Sequence, residues 1–198
     1  MKHKPSAILF DMDGVLIDSL DSWWQALNDA LKRFKHQEIT RDEFIETYWG
    51  HDLRANLERL QLNPEVAQFC NVTYGGHINA IRVYDDTRPT LSRLDHYRKA
   101  IITNTPTDCA RQILQKFDIA RYFETVVTSD DVQKAKPDPE IIYAACERLK
   151  VDPSTVLLVG DTTSDVAAGR AAGCLVIGMN ISADFTIHRL QEIMDFVA

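Results

Sequence analysis

The sequence lacks a glycine-rich loop that ends in Gly-Lys-Ser or Gly-Lys-Thr, and it lacks any cluster of lysine and arginine. The first absence excludes a P-loop nucleotide-binding enzyme, since that class holds its phosphates in such a loop. With 22 basic and 29 acidic side chains, the formal net charge is −7. Binding to nucleic acid or to an anionic membrane requires a positive face. We therefore expect neither as a partner.

The sequence also lacks cysteine spacing typical of a disulfide framework, and it lacks long hydrophobic runs. The four cysteines are scattered, and none stands in Cys-x-x-Cys spacing. A chain of 198 residues does not need disulfides to stabilise its core, so we expect reduced thiols. The apolar stretch before Asp11 is too short for the hydrophobic part of a signal peptide, and no run approaches the length of a membrane helix. These features predict a cytoplasmic protein.

Five short apolar runs predict buried parallel strands, because they are rich in β-branched residues and do not alternate with polar ones. They are residues 7–10, 100–103, 125–128, 156–160 and 174–178. Helical patterns lie between most of them, which predicts an α/β fold with a doubly wound, Rossmann-like parallel sheet. Thr105 and Asp138 are predicted helix caps, each followed by proline, and Gly173 is a predicted left-handed helix terminator.

The alternation of strands and helices is interrupted at residues 17–85, which contain helical patterns and no convincing strand. One helix is indicated by apolar residues at helical spacing from Leu20 to Phe34, and a second by the capping box at residues 40–43. We expect a small helical cap domain at 17–85, inserted into a catalytic core formed by 1–16 and 86–198. The leucine and aromatic stripes are interpreted as the packing core of this cap.

Polar side chains follow four of the predicted strands, at the sheet edge where open α/β folds bind ligands. They are Asp11, Asp13, Thr103, Asn104, Lys136, Asp161 and Asp165. Each group alone is compatible with an ordinary polar loop or a helix cap. Together, carboxylates without histidine or thiol ligands favour Mg²⁺, and a lysine with a hydroxyl favours phosphate oxygens. The pattern therefore predicts phosphate chemistry that requires a metal.

Four short segments resemble, in order, the four motifs of the haloacid dehalogenase-like hydrolase superfamily. They are DMDGVLIDS at 11–19, ITN at 102–104, KPDP at 136–139 and GDTTSD at 160–165, the last extended by AGRAAG at 168–173. The resemblance covers nearly the whole chain, from Ala7 to about Met179. Within this superfamily, the chain most resembles the branch of the phosphoglycolate phosphatases and β-phosphoglucomutases. The helical cap of that branch is inserted after the first motif.

The resemblance implies a role for each carboxylate. Asp11 would attack phosphorus and carry the phosphoryl group, and Asp13 would act as the general acid and base. Mg²⁺ would bind the Asp11 carboxylate, the Asp13 backbone carbonyl and Asp161. Asp165 would orient metal-bound water rather than bind the ion directly. The implied enzyme is a phosphoric monoester hydrolase.

The resemblance further assigns the phosphoryl oxygens to Thr103, the Asn104 backbone N–H and Lys136. The carboxylate at Asp13 favours a phosphatase or phosphomutase over a dehalogenase, which lacks it. Gly160 stands where sugar phosphomutases tend to carry glutamate, so water is favoured as the second nucleophile. A sugar phosphomutase remains the alternative within enzymes, and a non-catalytic binding protein with the same fold is the alternative outside them.

Specificity is expected from the cap loop at residues 48–54, where Gly50 allows a sharp bend. Trp49, His51 or Arg54 would contact the leaving group, and Arg54 would suit a carboxylate or a second phosphate. The alternative is an ordinary surface loop with a solvated arginine. We expect the partner to be a small phosphorylated metabolite, such as phosphoglycolate or a sugar phosphate, and the protein to be a monomer.

Overall fold

A six-stranded parallel sheet forms the centre of the computed structural model, which describes residues 2–198. The strand order is β5-β4-β1-β6-β7-β8, and every neighbouring pair is parallel. The strands are β1 Ala7–Phe10, β4 Lys99–Thr103, β5 Thr125–Thr128, β6 Val156–Gly160, β7 Leu175–Met179 and β8 Phe185–Ile187. β1 lies between β4 and β6, so the chain winds in both directions from it, which confirms the doubly wound α/β fold.

Alternate residues of β1 enter two separate hydrophobic clusters, one on each face of the sheet. Ile8 and Phe10 pack with the helices α5 Thr87–Arg93 and α6 Thr107–Phe117, whereas Ala7 and Leu9 pack with α7 Glu140–Leu149 and α8 Thr163–Ala172. The strand is buried on both faces, which is why its sequence reads as an unbroken apolar run.

The sheet differs from the sequence prediction at its far edge. The strand predicted at 174–178 occupies Leu175–Met179, and β8 was not predicted at all. β8 has only three residues, and the central Thr186 is exposed. So short a segment gives neither a continuous apolar run nor a countable alternation.

The segment predicted as the cap begins and ends with a two-residue antiparallel pair, so the expectation that it contains no strand was wrong. β2 Ile17–Asp18 pairs with β3 Arg82–Val83, and two residues are too few to show a period in the sequence. Between them lie α1 Leu20–Arg33, α2 Arg41–Glu43, α3 Leu53–Arg59 and α4 Glu65–His77. The capping residue Thr40 accepts the Glu43 N–H, as predicted.

Helices α1 and α4 pack against each other, with the Trp23 and Tyr74 rings stacked at 3.8 Å between centroids. α2 continues as a wider turn at Phe44–Tyr48, which leads into the loop before α3. The four cysteines are all free and buried. In residues 2–198, no helix combines the length and hydropathy that crossing a membrane requires.

Candidate active site

Three carboxylates meet where β1 and β6 end side by side. The Asp11 N–H donates to the Val159 carbonyl at 2.9 Å, so Asp11 and Asp161 leave adjacent strands together. Asp165 lies in the first turn of α8. One oxygen from each of Asp11, Asp161 and Asp165 lies within 4.8 Å of the others. Parallel strands thus bring together residues that are 150 positions apart in the sequence.

Lys136 neutralises part of this negative charge from a buried position. Its Nζ lies 2.9 Å from Asp11 Oδ1 and 2.7 Å from Asp165 Oδ1, and the residue is 2% exposed. Burial alone would lower the pKa of Lys136, but the attraction of Asp11 and Asp165 outweighs burial and raises it. The lysine is therefore a fixed positive charge beside Asp11.

The environment disfavours the ionised form of two of these carboxylates, Asp11 and Asp161. Burial raises the pKa of Asp11 well above its ordinary value, and repulsion from Asp165 adds to the effect. Burial, followed by repulsion from Asp165, raises the pKa of Asp161 to about 7. A cation placed among these groups would relieve the repulsion.

The geometry around Asp161 fits a hard divalent cation. Its Oδ1 is buried and has no hydrogen-bond partner among the described residues. Gly14 leaves the necessary room, because a Cβ there would lie 2.0 Å from Asp161 Oδ2. An orphaned carboxylate oxygen beside two further carboxylates is a donor set that Mg²⁺ prefers.

Asp13 is held by three hydroxyl groups. Ser19 Oγ donates to its Oδ1, while Thr103 Oγ1 and Thr105 Oγ1 donate to its Oδ2 at 3.1 and 2.7 Å. The interpretation of Thr105 as a helix cap was wrong: α6 begins two residues later, at Thr107, and the Thr105 hydroxyl is turned to Asp13. Ser19 and Thr105 are thus site residues that the sequence reasoning missed, although both stand within two residues of a quoted motif or inside one.

The two carboxylate oxygens of Asp165 contact different groups. Oδ1 contacts Lys136, and Oδ2 accepts the Thr162 hydroxyl at 2.6 Å and the Thr162 N–H at 3.0 Å. The Thr162 N–H contact forms a capping box at the start of α8, because the Asp165 N–H donates in return to Thr162 Oγ1 at 3.4 Å. Asp165 therefore fixes the lysine to the helix that follows β6.

The loop before α3 contacts the carboxylate site directly. Trp49 Nε1 donates to Asp161 Oδ2 at 3.2 Å, and the Gly50 carbonyl accepts from Asn104 Nδ2 at 3.1 Å. Asn104 also donates to the Lys136 carbonyl and accepts the Lys136 N–H, at 2.9 and 3.0 Å. The Asn104 side chain therefore connects the loop before α3 with the lysine loop, a role that the sequence reasoning had not given it.

A single cavity lies above Asp11, and most of the predicted site residues line it. The lining includes Asp11, Asp13, Thr103, Asn104, Lys136, Asp161, Trp49 and His51. Arg54, which was expected near the leaving group, is exposed and lies outside this lining. Trp23, Leu27 and Leu53 line the cavity as well, and they also belong to or pack against the hydrophobic core, so the apolar stripes form a packing core and part of the cavity wall.

Comparison with known proteins places this geometry in one family. Residues 8–179 match the family described as haloacid dehalogenase-like hydrolase. The chain is 29% identical over 205 residues to a phosphoglycolate phosphatase of Haemophilus influenzae, covering 95% of this chain and 91% of the relative. It is 31% identical over 184 residues to the pyrophosphatase PpaX of Bacillus velezensis, covering 88% of this chain and 82% of the relative.

The fold is shared with solved structures. A HAD-superfamily hydrolase of subfamily IA from Geobacter sulfurreducens superposes with a TM-score of 0.81 and 23% identity, and the match covers 96% of this chain and 98% of that one. At this identity the likeness establishes the α/β fold and its inserted helices.

Proposed function

Since the chain belongs to the haloacid dehalogenase-like hydrolase family and is a phosphoric monoester hydrolase, we propose that it uses Mg²⁺ and an aspartyl-phosphate on Asp11 to hydrolyse a small phosphate monoester. The observation that carries the proposal is the position of Asp11. Its carboxylate lies at the floor of the cavity, 2.9 Å from the buried Lys136 Nζ and among Asp161 and Asp165.

Asp11 is oriented for attack by contacts on one oxygen. Oδ1 accepts the Met12 N–H at 2.7 Å and contacts Lys136. Both contacts fall on Oδ1, so Oδ2 is the oxygen that we expect to form the bond to phosphorus. The bond between phosphorus and the ester oxygen breaks in the same step.

Asp13 lies beside this nucleophile and has the hydroxyl contacts that would hold it still. In the first step it gives its proton to the leaving ester oxygen. In the second step it takes a proton from water, whose oxygen attacks phosphorus and releases phosphate and the free Asp11 carboxylate. Acid–base help from a positioned side chain contributes a factor of about 10² to 10⁴ in rate.

The phosphoryl oxygens are assigned to Lys136, the Thr103 hydroxyl and the Asn104 backbone N–H, which would stabilise the charge that spreads over them in the transition state. The Asp11 carboxylate, the Asp13 carbonyl and Asp161 would hold Mg²⁺. When bound, the ion would neutralise the carboxylates and draw charge from the phosphoryl group.

The proposal also covers the domain organisation, the cellular location and the oligomeric state. Residues 17–85 act as a cap over a core formed by 1–16 and 86–198, and the enzyme is a cytoplasmic monomer. The contacts of Trp49 with Asp161 and of Gly50 with Asn104 support the cap, because closing a cap excludes water from the phosphoryl group. Light scattering at several protein concentrations tests the monomer.

The test measures phosphate release from a panel of phosphate monoesters with Mg²⁺ and with EDTA. Release should require Mg²⁺ and disappear in Asp11→Asn. The matched control is Asp108→Asn, an exposed carboxylate on α6, which should retain the wild-type rate. Borohydride reduction during turnover, followed by mass spectrometry, should locate the acyl phosphate at position 11.

Two outcomes favour the alternatives. Phosphate transfer that requires a sugar bisphosphate, without net release, would indicate a phosphomutase with the same nucleophile. Phosphate binding that needs no metal, without turnover of any ester, would indicate a binding protein.

A further inference from the structure

The cavity above Asp11 has an apolar upper wall, and this wall comes from the helical segment. The apolar and aromatic side chains that line it are Trp23, Leu27, Phe44, Tyr48, Trp49, Leu53 and Cys70, with Pro106 from the sheet side. The polar lining lies mostly at the floor, at the strand ends already described, and the helical segment adds His51 and Asn56. The phosphoryl group would occupy the floor, so the rest of the substrate would contact the apolar wall.

No free cation faces this wall among the lining residues. Lys136 is the one lysine or arginine in the lining, and its Nζ lies at the floor of the cavity, against Asp11 and Asp165. Arg54 is exposed outside the lining, and Arg59 is exposed with its guanidinium on the Thr47 carbonyl. Burial, and then the charge of Arg59, lower the pKa of His51, so this ring is neutral near pH 7.

One residue that lines the upper cavity has a buried polar atom without a hydrogen-bond partner among the described residues. Asn56 lines the cavity and is 6% exposed, and its Nδ2 donates to the Tyr48 carbonyl at 3.0 Å. Its Oδ1 is buried and accepts no hydrogen bond from the described residues. A buried acceptor without a partner is costly, and a donor supplied by a ligand would remove this cost.

The aromatic part of the wall is rigid. Trp23 is covered on one side by Tyr74, whose ring lies 3.8 Å away at an interplanar angle of 16°. A ring that is already fixed loses little conformational entropy when a ligand packs on it. The wall is therefore prepared for an apolar ligand group.

From these contacts we propose that the leaving group of the substrate is an uncharged alcohol with an apolar ring or chain, carrying one hydrogen-bond donor that reaches Asn56 Oδ1. The inference rests on the proposed phosphatase activity and narrows its substrate. The carboxylate of phosphoglycolate or the second phosphate of pyrophosphate would be buried against this wall without a countercharge, which is unfavourable. A polyhydroxylated sugar would leave most of its hydroxyl groups unpaired.

The first experiment compares kcat/KM for four substrates in the presence of Mg²⁺. Benzyl phosphate and phosphoglycolate are both primary alkyl esters, so their comparison isolates the leaving-group contacts. Pyrophosphate tests a second anionic group, and 4-(hydroxymethyl)benzyl phosphate adds one uncharged donor. We expect benzyl phosphate to exceed phosphoglycolate and pyrophosphate by about tenfold or more, since a ring buried on an apolar wall gains at least this much. Equal or reversed values would overturn the inference and leave the phosphatase intact.

A binding measurement separates this inference from the catalytic proposal. The methylene analogues 2-phenylethylphosphonate and 3-phosphonopropionate cannot be hydrolysed, and they differ as benzyl phosphate differs from phosphoglycolate. Calorimetry should show tighter binding of the phenyl compound by about tenfold, whether or not any ester turns over. Tighter binding of the carboxylate compound would refute the apolar specificity.

Two variants test the wall itself. Leu53→Arg places a cation in the lining and should shift the ratio of phosphoglycolate to benzyl phosphate turnover at least about tenfold towards phosphoglycolate. Val72→Arg adds the same charge on a surface residue that is 71% exposed, and should leave the ratio unchanged. An equal shift in both variants would show that overall charge, rather than the cavity, sets specificity.

In the wild type, kcat/KM should be higher for 4-(hydroxymethyl)benzyl phosphate than for benzyl phosphate, and Asn56→Leu should remove this advantage because it removes the acceptor that the added hydroxyl would reach. A retained advantage would remove Asn56 from the proposed contact. Circular dichroism and Tm measured on each variant separate this outcome from loss of the fold.

Discussion

Trp49 Nε1 and Asp161 Oδ2 are 3.2 Å apart, although 112 positions separate the two residues in the sequence. The bond joins the loop before α3 to the carboxylate that follows β6. The Gly50 carbonyl adds a second contact of the same loop, to Asn104. We therefore expect closure of the helical segment to depend on contacts with the groups that we assign to the metal and the phosphate.

Trp49→Phe should loosen this closure, because it removes the indole N–H and keeps an aromatic ring. Hydrogen bonds to charged groups contribute about 1.5 to 3 kcal/mol, so local opening should become roughly tenfold more frequent. Hydrogen exchange of the backbone amides at 48–52, measured without metal, should accelerate accordingly. The control is Trp24→Phe, which loses an indole bond to the Ile39 carbonyl and should affect residues 36–40 instead. Unchanged exchange at 48–52 in Trp49→Phe would refute the role of this bond in closure.

Gly50→Ala should obstruct closure by a steric clash. Gly50 has φ of +81°, and a Cβ there would lie 2.7 Å from Thr162 Cγ2. We expect kcat/KM to fall by about tenfold or more, since a left-handed residue alone costs about 1 to 2 kcal/mol. Thr162→Ser in the same protein removes the clashing methyl group, retains the hydroxyl and should restore part of the loss.

Gly76→Ala is the matched control for Gly50→Ala. No atom lies within 4 Å of the position that its Cβ would take, and the residue is inside α4. Alanine there should leave kcat/KM unchanged and stabilise the fold by about 0.5 to 1 kcal/mol, detected as a higher Tm. Equal losses of activity at both glycines would contradict the clash with Thr162.

Thr105→Val should lower kcat more than it changes KM. The substitution keeps the shape of the side chain and removes the hydroxyl that donates to Asp13 Oδ2 at 2.7 Å. A loosened general acid is misplaced in the transition state, and a loss of about tenfold is reasonable for one such contact. Steady-state kinetics on the best ester measures both constants. Thr107→Val, whose hydroxyl contacts Thr128 instead, should behave as wild type.

Asp161→Asn should stabilise the metal-free protein, and it should also remove most of the gain in Tm that Mg²⁺ gives. The pKa of Asp161 lies at about 7 in the fold, against an ordinary value of 3.8, chiefly because of burial. Between these two values the unfolded chain has released a proton that the folded protein keeps, so stability falls as pH rises through this window. The asparagine variant cannot carry this charge, and its gain in Tm should therefore be larger at about pH 8 than at about pH 4.

The two halves of this prediction are measured by thermal unfolding with EDTA and with Mg²⁺. Wild type should gain Tm when Mg²⁺ is added, because a ligand that binds the folded state stabilises it. Asp161→Asn should show little such gain. A gain in Tm that is the same at both pH values would mean that the charge of Asp161 does not destabilise the metal-free fold.

The sequence by itself predicted five of the six strands of the parallel sheet and the polar residues that follow four of them. A short but unbroken apolar run predicts a strand that is buried on both faces, even when its neighbouring strands are unknown. The residues that follow β1 and β6 were recognisable as candidate site residues, because carboxylates directly after a buried strand are unusual. Parallel strands end at one edge of the sheet, so Asp11 and Asp161 were expected at the same edge, and the pairing of β1 with β6 in the structure makes them neighbours.

Only the tertiary structure decided how the helical segment meets this edge. Leu53 and Trp23 fit a packing stripe at helical spacing, and no local pattern distinguishes a residue that packs from one that lines a cavity. Thr105 stands where a helix cap is common, and its bond to Asp13 joins residues that are 92 positions apart in the sequence. The same holds for Trp49 and Asp161. Local sequence determines conformation over a few residues, whereas contacts between elements depend on how the whole chain packs.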